Sequence, residues 1–137
     1  MYPVEIVMPM KAELTENGFQ ELLTSVEVEN ALKQLGTTLV VINSVCGCSA
    51  GTARPGVLMA VQNSNKKPNR LATSFAGFDM DAVKKVREYL MPYTPSSPSI
   101  ALFKDGQLVH MIERHQIEGR SAQMIAANLT AAFEQYC

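Results

Sequence analysis

The chain has 137 residues, of which 47% are hydrophobic and 18% charged, and its formal net charge is −1. This length and composition indicate one folded globular domain and exclude a disordered protein. The small net charge gives no reason to expect nucleic acid or an anionic membrane as a partner. The first residues lack the basic segment of a signal peptide, and no apolar run approaches the ~18 residues that a membrane helix needs. We therefore expect a cytoplasmic protein.

The N-terminal part of the chain has the least regular pattern. Two prolines indicate an irregular lead-in over residues 1–12. Apolar residues at helical spacing favour a helix over residues 10–23. These segments predict an N-terminal helical extension, about residues 1–24, ahead of the main part of one domain that spans residues 1–137. A segment of this kind, outside the core plan, could support a homodimer.

A helix and a buried strand follow the extension. Thr24 and Glu27 have the spacing of a capping box, in which each side chain binds the backbone N–H of the other residue. Gly36 supplies the end of that helix. The next run, residues 37–45, is rich in valine and isoleucine, which predicts a buried strand.

The rest of the chain alternates helical and strand patterns. In order, these patterns predict a helix over residues 52–61 with Pro55 in its first turn, a strand over residues 70–75, a helix that Asp79 begins, a hairpin that turns at Asp105 and Gly106, and a last helix that Ser121 begins. Strands joined through helices pair in parallel, and the hairpin adds an antiparallel pair. The order therefore predicts an α/β fold with a central mixed sheet of about four strands and helices on both faces.

Two cysteines stand where the strand over residues 37–45 ends. Cys46 and Cys48 are separated by one glycine, and a segment of small residues after them opens a helix. Unpaired backbone N–H groups and the helix dipole stabilise an anion at such a junction, and the thiolate is the reactive form of cysteine. Three cysteines are too few for a secreted disulfide framework, and their number is odd. The pair therefore predicts redox chemistry or metal binding in a reducing compartment.

The two thiols are expected to differ in role. Cys46 is nearer the strand end and should be the more exposed thiol with the lower pKa, so we assign it as the nucleophile. Cys48 is then the resolving thiol, which closes a Cys46–Cys48 disulfide. Gly47 is expected to supply the backbone freedom that this short ring needs. A ring so tight predicts an easily reduced disulfide, suited to exchange and isomerisation.

The order of elements resembles the thioredoxin fold. The segment S-P-S-I-A-L-F-K-D-G, residues 97–106, resembles the thioredoxin segment in which a cis-proline opens the strand that faces the active-site cysteines. This resemblance implies a cis Ser97–Pro98 bond and places both residues beside Cys46. The Cys-Gly-Cys motif is one residue shorter than the Cys-x-x-Cys of thioredoxin, and no tryptophan precedes it.

Several longer motifs resemble those of the bacilliredoxin family over nearly the whole chain. They are N-S-V-C-G-C-S-A-G at residues 43–51, A-R-P at 53–55, P-S-S-P-S at 95–99, R-H-Q-I-E-G at 114–119 and N-L-T-A-A-F at 128–133. The resemblance implies an enzyme that removes bacillithiol, or a similar low-molecular-weight thiol, from protein mixed disulfides, with weak disulfide reductase or isomerase activity. Its partners would be S-thiolated client proteins and the small thiol as co-substrate, with no bound cofactor.

Other interpretations of single residues stay open. A metal-binding or metal-trafficking protein would combine the Cys-Gly-Cys thiolates with Cys137, His110 or His115. Cys137 is otherwise a frayed terminal thiol or an accessory redox thiol. Arg54 either stabilises the Cys46 thiolate and meets a carboxylate of the small thiol, or it is a solvated arginine. A further alternative is an inactive thioredoxin-like interaction module.

Overall fold

The computed structural model describes all residues, Met1–Cys137, and its centre is a mixed sheet of five strands. In chain order the elements are α1 (Val4–Thr15), β1 (Gln20–Glu21), α2 (Ser25–Leu32), β2 (Thr37–Asn43), a π-helical turn (Ser49–Ala53), α3 (Arg54–Asn63), β3 (Arg70–Phe75), α4 (Met80–Leu90), β4 (Ser99–Lys104), β5 (Gln107–Ile112), α5 (Arg114–Ile117) and α6 (Ala122–Tyr136). The strand order is β1-β3-β2-β4-β5. No helix combines the length and the apolar character that crossing a bilayer requires.

The central strand β2 separates two hydrophobic cores. All seven of its residues are buried, and its side chains alternate between the two faces of the sheet. Leu39 and Val41 join the core that α1, α3 and α6 cover, and Val40 and Ile42 join the core under α2 and α4. β2 pairs in parallel with β3 and antiparallel with β4. The predicted three-layer α/β fold is therefore confirmed, with five strands in place of four because the short β1 extends the edge beyond β3.

Helix α1 begins earlier than the sequence pattern indicates. It covers most of the segment predicted to be irregular over residues 1–12, and it ends well before the end of the helix predicted over residues 10–23, so both predictions are wrong. Val7 and Leu14 are fully buried on one face of the helix. This burial stabilises the helix although Pro9 inside it cannot donate a backbone hydrogen bond.

The N-terminal segment is attached to the sheet by polar groups as well as by this core. Lys11 Nζ lies 2.9 Å from a carboxylate oxygen of Asp79 and 3.4 Å from one of Glu21. Strand β1 pairs with β3 in parallel. Asp79 does begin α4 as predicted, but its side chain accepts from Lys11 and from the backbone N–H of Phe75, at 2.9 Å, and caps nothing in the helix.

The other turn and cap predictions are confirmed except the one for Gly36, because α2 ends at Leu32 with Lys33 as its C-cap. The Thr24–Glu27 capping box is formed in both directions, and Ser121 accepts a hydrogen bond from a backbone N–H in the first turn of α6. The β4–β5 hairpin turns at Asp105 and Gly106, whose φ angles are 51° and 81°. Both φ angles are positive, as a tight turn between twisted strands requires, and this is why Asp-Gly occurs there.

Helices α3 and α6 pack closely at Gly56. A Cβ atom built on this residue would lie 2.8 Å from Cβ of Ile125 and 2.9 Å from the carbonyl oxygen of Ala122. Both atoms belong to α6, whose backbone cannot move without disturbing the core beneath it. Gly51, in the π-helical turn, has nothing within 4 Å of the same position.

We expect Gly56→Ala to lower the free energy of unfolding and Gly51→Ala to leave it unchanged or raise it. Overpacking at position 56 costs about 1–3 kcal/mol, partly offset by the better helix propensity of alanine, about 1 kcal/mol. At position 51 only the gain applies, about 0.4–1 kcal/mol. Urea unfolding of the two variants measures the difference. Equal stabilities would show that the α3–α6 contact yields to an extra methyl group.

Candidate active site

Cys46 and Cys48 lie at the carboxyl end of β2, where the sequence pattern places them. Their sulfur atoms are 2.7 Å apart, and both residues are free, half-buried thiols. The chain leaves β2, forms a short turn that carries the cysteines, and passes through the π-helical turn into α3. Cys48 also packs against the core that α3 and α6 cover. Only part of each side chain is therefore open to a reaction partner.

The loop that holds the cysteines is fixed by Asn43, the last residue of β2. Its buried Oδ1 accepts from the backbone N–H of Ser44 at 2.8 Å, from Oγ of Ser49 at 3.1 Å and from Nη1 of Arg54 at 2.8 Å. Its Nδ2 donates to the carbonyl oxygen of Met10 at 3.1 Å. One amide side chain thus joins the strand, the cysteine loop, the start of α3 and α1.

Arg54 belongs to this network and not to the face that carries the thiols. Its side chain is 3% exposed, Nη1 also donates to the carbonyl oxygen of Ser44 at 2.9 Å, and Nε forms an ion pair with Glu13. Both interpretations of Arg54, as a thiolate partner and as a solvated arginine, are therefore wrong. The guanidinium is buried below the loop because it satisfies the polar groups at the end of the strand.

Neighbouring hydrogen-bond donors lower the pKa of the Cys46 thiol below its ordinary value. The largest cause is the hydrogen bond from the Cys48 thiol, while partial burial acts in the opposite direction. The backbone N–H groups of Cys48 and Ser49 and the positive charge of Arg114 lower it further. A thiolate at Cys46 is stabilised by the start of the helical segment, as the position of the motif predicts.

The pKa of the Cys48 thiol changes in the other direction. Burial raises it to about 11, and the hydrogen bond with Cys46, the charge of Cys46 and the charge of Glu118 raise it as well. The charge of Arg114 acts against this rise. Within one pair of touching sulfurs, Cys46 is therefore the more acidic thiol and Cys48 the one that stays protonated.

Two charged residues lie close to the thiols: Arg114, the first residue of α5, and Glu118, which directly follows α5. Both belong to residues 114–120, here called the α5 segment, and the sequence analysis assigned neither of them a role. A carboxylate oxygen of Glu118 and the sulfurs of Cys46 and Cys48 all lie within 4.8 Å of one another. Arg114 Nε forms an ion pair with Glu118, and its Nη1 donates to the carbonyl oxygen of Ser97 at 3.3 Å. The motif R-H-Q-I-E-G contains both residues, so the signal was present. Because both residues are far from the cysteines along the chain, the motif alone did not indicate that they act on the thiols.

The loop before β4 completes this end of the sheet. The Ser97–Pro98 bond is cis, as the resemblance to thioredoxins implies, and Pro98 is buried. β4 is antiparallel to β2 and begins directly after Pro98, so this loop lies at the same end of the sheet as the cysteines. Arg114 connects the two, because it binds the Ser97 carbonyl and its charge acts on Cys46. The Met91–Pro92 bond is also cis, which the sequence analysis did not predict.

Gly47 is not needed for its backbone conformation in the dithiol form. Its φ lies outside the left-handed region, and a Cβ atom there would meet nothing within 4 Å. The dithiol form therefore does not depend on a glycine at position 47, and the need of the closed Cys46–Cys48 ring for glycine stays a prediction. What Gly47 provides is an exposed, uncrowded backbone between the two thiols.

The remaining candidate residues are not beside the pair. Cys137 has Thr37, Lys66 and Lys104 as its neighbours, at the opposite end of β2, roughly 20 Å away along the strand. Nε2 of His110 lies 2.7 Å from the amide oxygen of Asn128. Neither of these residues, nor the exposed His115, joins the group that meets the thiols, whose third member is Glu118. Cys137 and the two histidines of the metal interpretation are thus not beside the pair, where Glu118 is the one further side chain that could bind a metal ion.

Proteins of known family resemble this chain over almost its full length. A family model described as disulphide isomerase matches residues 2–137. A bacilliredoxin from Cytophaga hutchinsonii is 58% identical over 135 residues, which cover 98% of this chain and 99% of that protein. A bacilliredoxin from Geobacillus kaustophilus is 52% identical over 137 residues, which cover 99% of this chain and 94% of that protein.

Solved structures resemble the fold at much lower sequence identity. Mitochondrial thioredoxin 3 from Saccharomyces cerevisiae, in its oxidized form, superposes with a TM-score of 0.62 at 18% identity and covers 90% of this chain and 98% of its own. A mutant thioredoxin from Halobacterium salinarum gives a TM-score of 0.59 at 14% identity, over 88% of this chain and 91% of its own. The fold is thus the thioredoxin fold. Because the family model spans nearly the whole chain and relatives share more than half of its residues, the chain belongs to the bacilliredoxin family and is a thiol–disulfide oxidoreductase.

Proposed function

We propose that this oxidoreductase removes bacillithiol, or a similar low-molecular-weight thiol, from mixed disulfides of client proteins. The observation that carries the proposal is the opposite change in pKa of two sulfurs that lie 2.7 Å apart. Cys46 is the thiol that ionises more readily and is therefore the better nucleophile, and Cys48 stays protonated until the second exchange. The names of the relatives support bacillithiol as the small thiol.

Cys46 performs the first exchange. Its thiolate attacks the bacillithiol sulfur of the mixed disulfide, a new disulfide forms between Cys46 and bacillithiol, and the client sulfur leaves with the electron pair as a thiolate. The positive charge of Arg114 stabilises the attacking thiolate. The exposed backbone at Gly47 leaves room for the incoming disulfide beside Cys46.

Cys48 performs the second exchange. Its sulfur attacks Cys46 and expels bacillithiol, which leaves an internal Cys46–Cys48 disulfide. Two electrons from the pair have then reduced the client, and two molecules of the small thiol return the pair to the reduced state and leave joined as their own disulfide. We place this cycle in the cytoplasm, where thiols are kept reduced. The same exchange on client disulfides gives weak reductase and isomerase activity.

A cavity beside the thiols can receive the small thiol. It measures about 290 Å³, and it is lined by polar side chains of the α5 segment and of the loop before β4, Thr94, Ser96, Arg114, His115 and Glu118 among them. The buried Pro98 closes the site on the side of β4, and backbone groups next to Ser97 pair with the extended client segment. Arg114 provides a positive group and His115 a hydrogen-bond donor for a carboxylate of the small thiol.

Trapping of the first intermediate tests the roles of the two cysteines. After incubation with a model protein that carries bacillithiol, we expect Cys48→Ser to retain one bacillithiol adduct, because the resolving sulfur is missing. Cys46→Ser should retain none, and the wild type should close an internal disulfide. Intact-mass analysis distinguishes the three products.

Cys137→Ser is the matched control, since it removes a thiol at the far end of β2 and should behave as the wild type. Adducts of equal yield on Cys46→Ser and Cys48→Ser would contradict the assignment of the nucleophile. A wild-type protein that arrives with stoichiometric metal and masked thiols would favour the metal interpretation instead.

The hydrogen bond between the two thiols is expected to set the reactivity of Cys46. An ordinary cysteine has a pKa of about 8.5. Because the pKa of Cys46 is lowered, its rate of alkylation should rise with pH and reach a plateau at a lower pH than that of an ordinary cysteine. Cys48→Ala should move this profile to higher pH, because the largest cause of the shift is lost. Cys48→Ser, which keeps a donor, should move it less. Ultraviolet absorbance of the thiolate gives an independent titration, and an unchanged profile in Cys48→Ala would contradict this account.

A further inference from the structure

The carboxylate of Glu118 has a further role, if the exchange proposed above is correct. It lies within 4.8 Å of both sulfurs, and Arg114 Nε binds its Oε1. Its other oxygen, Oε2, has no hydrogen-bond partner within the chain. We propose that Glu118 accepts the proton of the Cys48 thiol when Cys48 attacks the mixed disulfide on Cys46.

The second exchange needs such an acceptor. In the reduced pair the pKa of Cys48 is raised to about 11, so Cys48 is a protonated thiol at pH 7, and a protonated thiol is a poor nucleophile. Burial is the largest cause, and it persists after Cys46 has been converted to a mixed disulfide. A base within reach, directly or through one water, removes the need for a free Cys48 thiolate.

No other group at the site can take the proton. The charged and titratable groups that act on Cys48 are Cys46 on its own loop and Arg114 and Glu118 on the α5 segment. Cys46 is bonded to the small thiol at this stage, and a guanidinium is always protonated. Glu113 and His115 line the adjoining cavity but do not belong to the group that meets the sulfurs.

The S–H bond of Cys48 breaks, and its proton passes to a carboxylate oxygen of Glu118. The Cys48 sulfur bonds to the Cys46 sulfur, and the disulfide between Cys46 and bacillithiol breaks, with its electron pair on the bacillithiol sulfur. Cys46 and Cys48 end as a disulfide, and bacillithiol is reduced to a thiolate. Because the Glu118 side chain is half-exposed, its proton then passes to this thiolate or to water.

Glu118→Gln isolates this function. Glutamine keeps an oxygen that accepts from Arg114 Nε, but it cannot take a proton. Reduced protein is mixed with the bacillithiolated model protein, quenched with acid at set times and analysed by intact mass. We expect Glu118→Gln still to form the Cys46 adduct but to close the disulfide about 10²-fold more slowly than the wild type at pH 7. The adduct, which is short-lived in the wild type, should therefore accumulate in Glu118→Gln.

The pH dependence separates a proton acceptor from a simple charge. In Glu118→Gln the closing rate should rise about tenfold per pH unit, because the reaction then depends on free thiolate, and it should approach the wild-type rate near the pKa of Cys48. If Glu118 acted only through its negative charge, its removal would lower the pKa of Cys48 and make closure faster. A closing rate equal to or above that of the wild type would overturn the proposal.

Two further variants complete the test. Glu134→Gln makes the same change of charge on the exposed far end of α6 and should match the wild type in both steps. Arg114→Gln should slow formation of the adduct with little effect on closure. An equal loss of closure in Arg114→Gln would mean that Glu118 only holds the arginine, which would also overturn the proposal.

The proposed function and this inference fail in different ways. If Cys48→Ser forms no adduct with bacillithiol, the exchange proposed above is wrong. If it forms the adduct and Glu118→Gln still closes the disulfide at the wild-type rate, only the role of Glu118 is wrong. A client that carries glutathione, run in parallel, shows whether a missing adduct reflects the identity of the small thiol alone.

Discussion

The buried hydrogen bond from Arg54 to Asn43 is the interaction on which the site depends. It joins the end of the central strand to the first turn of α3, and the two cysteines lie on the loop between them. A charge buried to this extent needs polar partners, and a hydrogen bond to a charged group contributes about 1.5–3 kcal/mol. The other partners of the Arg54 guanidinium are Ser44, Ser49 and, through an ion pair, Glu13. These contacts on the buried side hold the loop in one conformation, so its other side, at Gly47, can be exposed to a reaction partner.

This arrangement produces the asymmetry between the two thiols. Cys46 lies where backbone N–H groups of the following helical turn converge, while Cys48 is directed toward the core under α3 and α6. Two residues so close in sequence would have similar pKa values in an unfolded chain. The fold separates them by giving hydrogen-bond donors to one and a poorly solvated environment to the other. Such a difference is what a two-step exchange requires.

The site is completed by segments that are distant along the chain. The loop before β4 contributes the cis Ser97–Pro98 bond to the site, and the α5 segment contributes Arg114 and Glu118, which have opposite charges. The hydroxyl of Thr52, in the π-helical turn before α3, donates to the carbonyl oxygen of Arg120 at 2.8 Å and connects the end of the α5 segment to the cysteine loop. The charged pair is thereby kept at the thiols, although both of its side chains are half-exposed.

Local signals in the sequence predicted the order of the main helices and strands after residue 24 and the cysteine pair at a strand end, and the resemblance to thioredoxins implied the cis-proline loop. They did not predict β1, α5 or the bounds of α1. The predicted features follow from valine and isoleucine in β2, Asp-Gly at the hairpin, and motifs that lie within a few residues of one another. Which charged residues change the pKa values of the two thiols depends on the tertiary structure alone. Arg54 is close in sequence yet is buried below the loop, whereas Arg114 is distant in sequence yet acts on Cys46. The physical reason is that electrostatic interactions depend on distance through space and on burial, and a sequence contains neither until the sheet has brought its strand ends together.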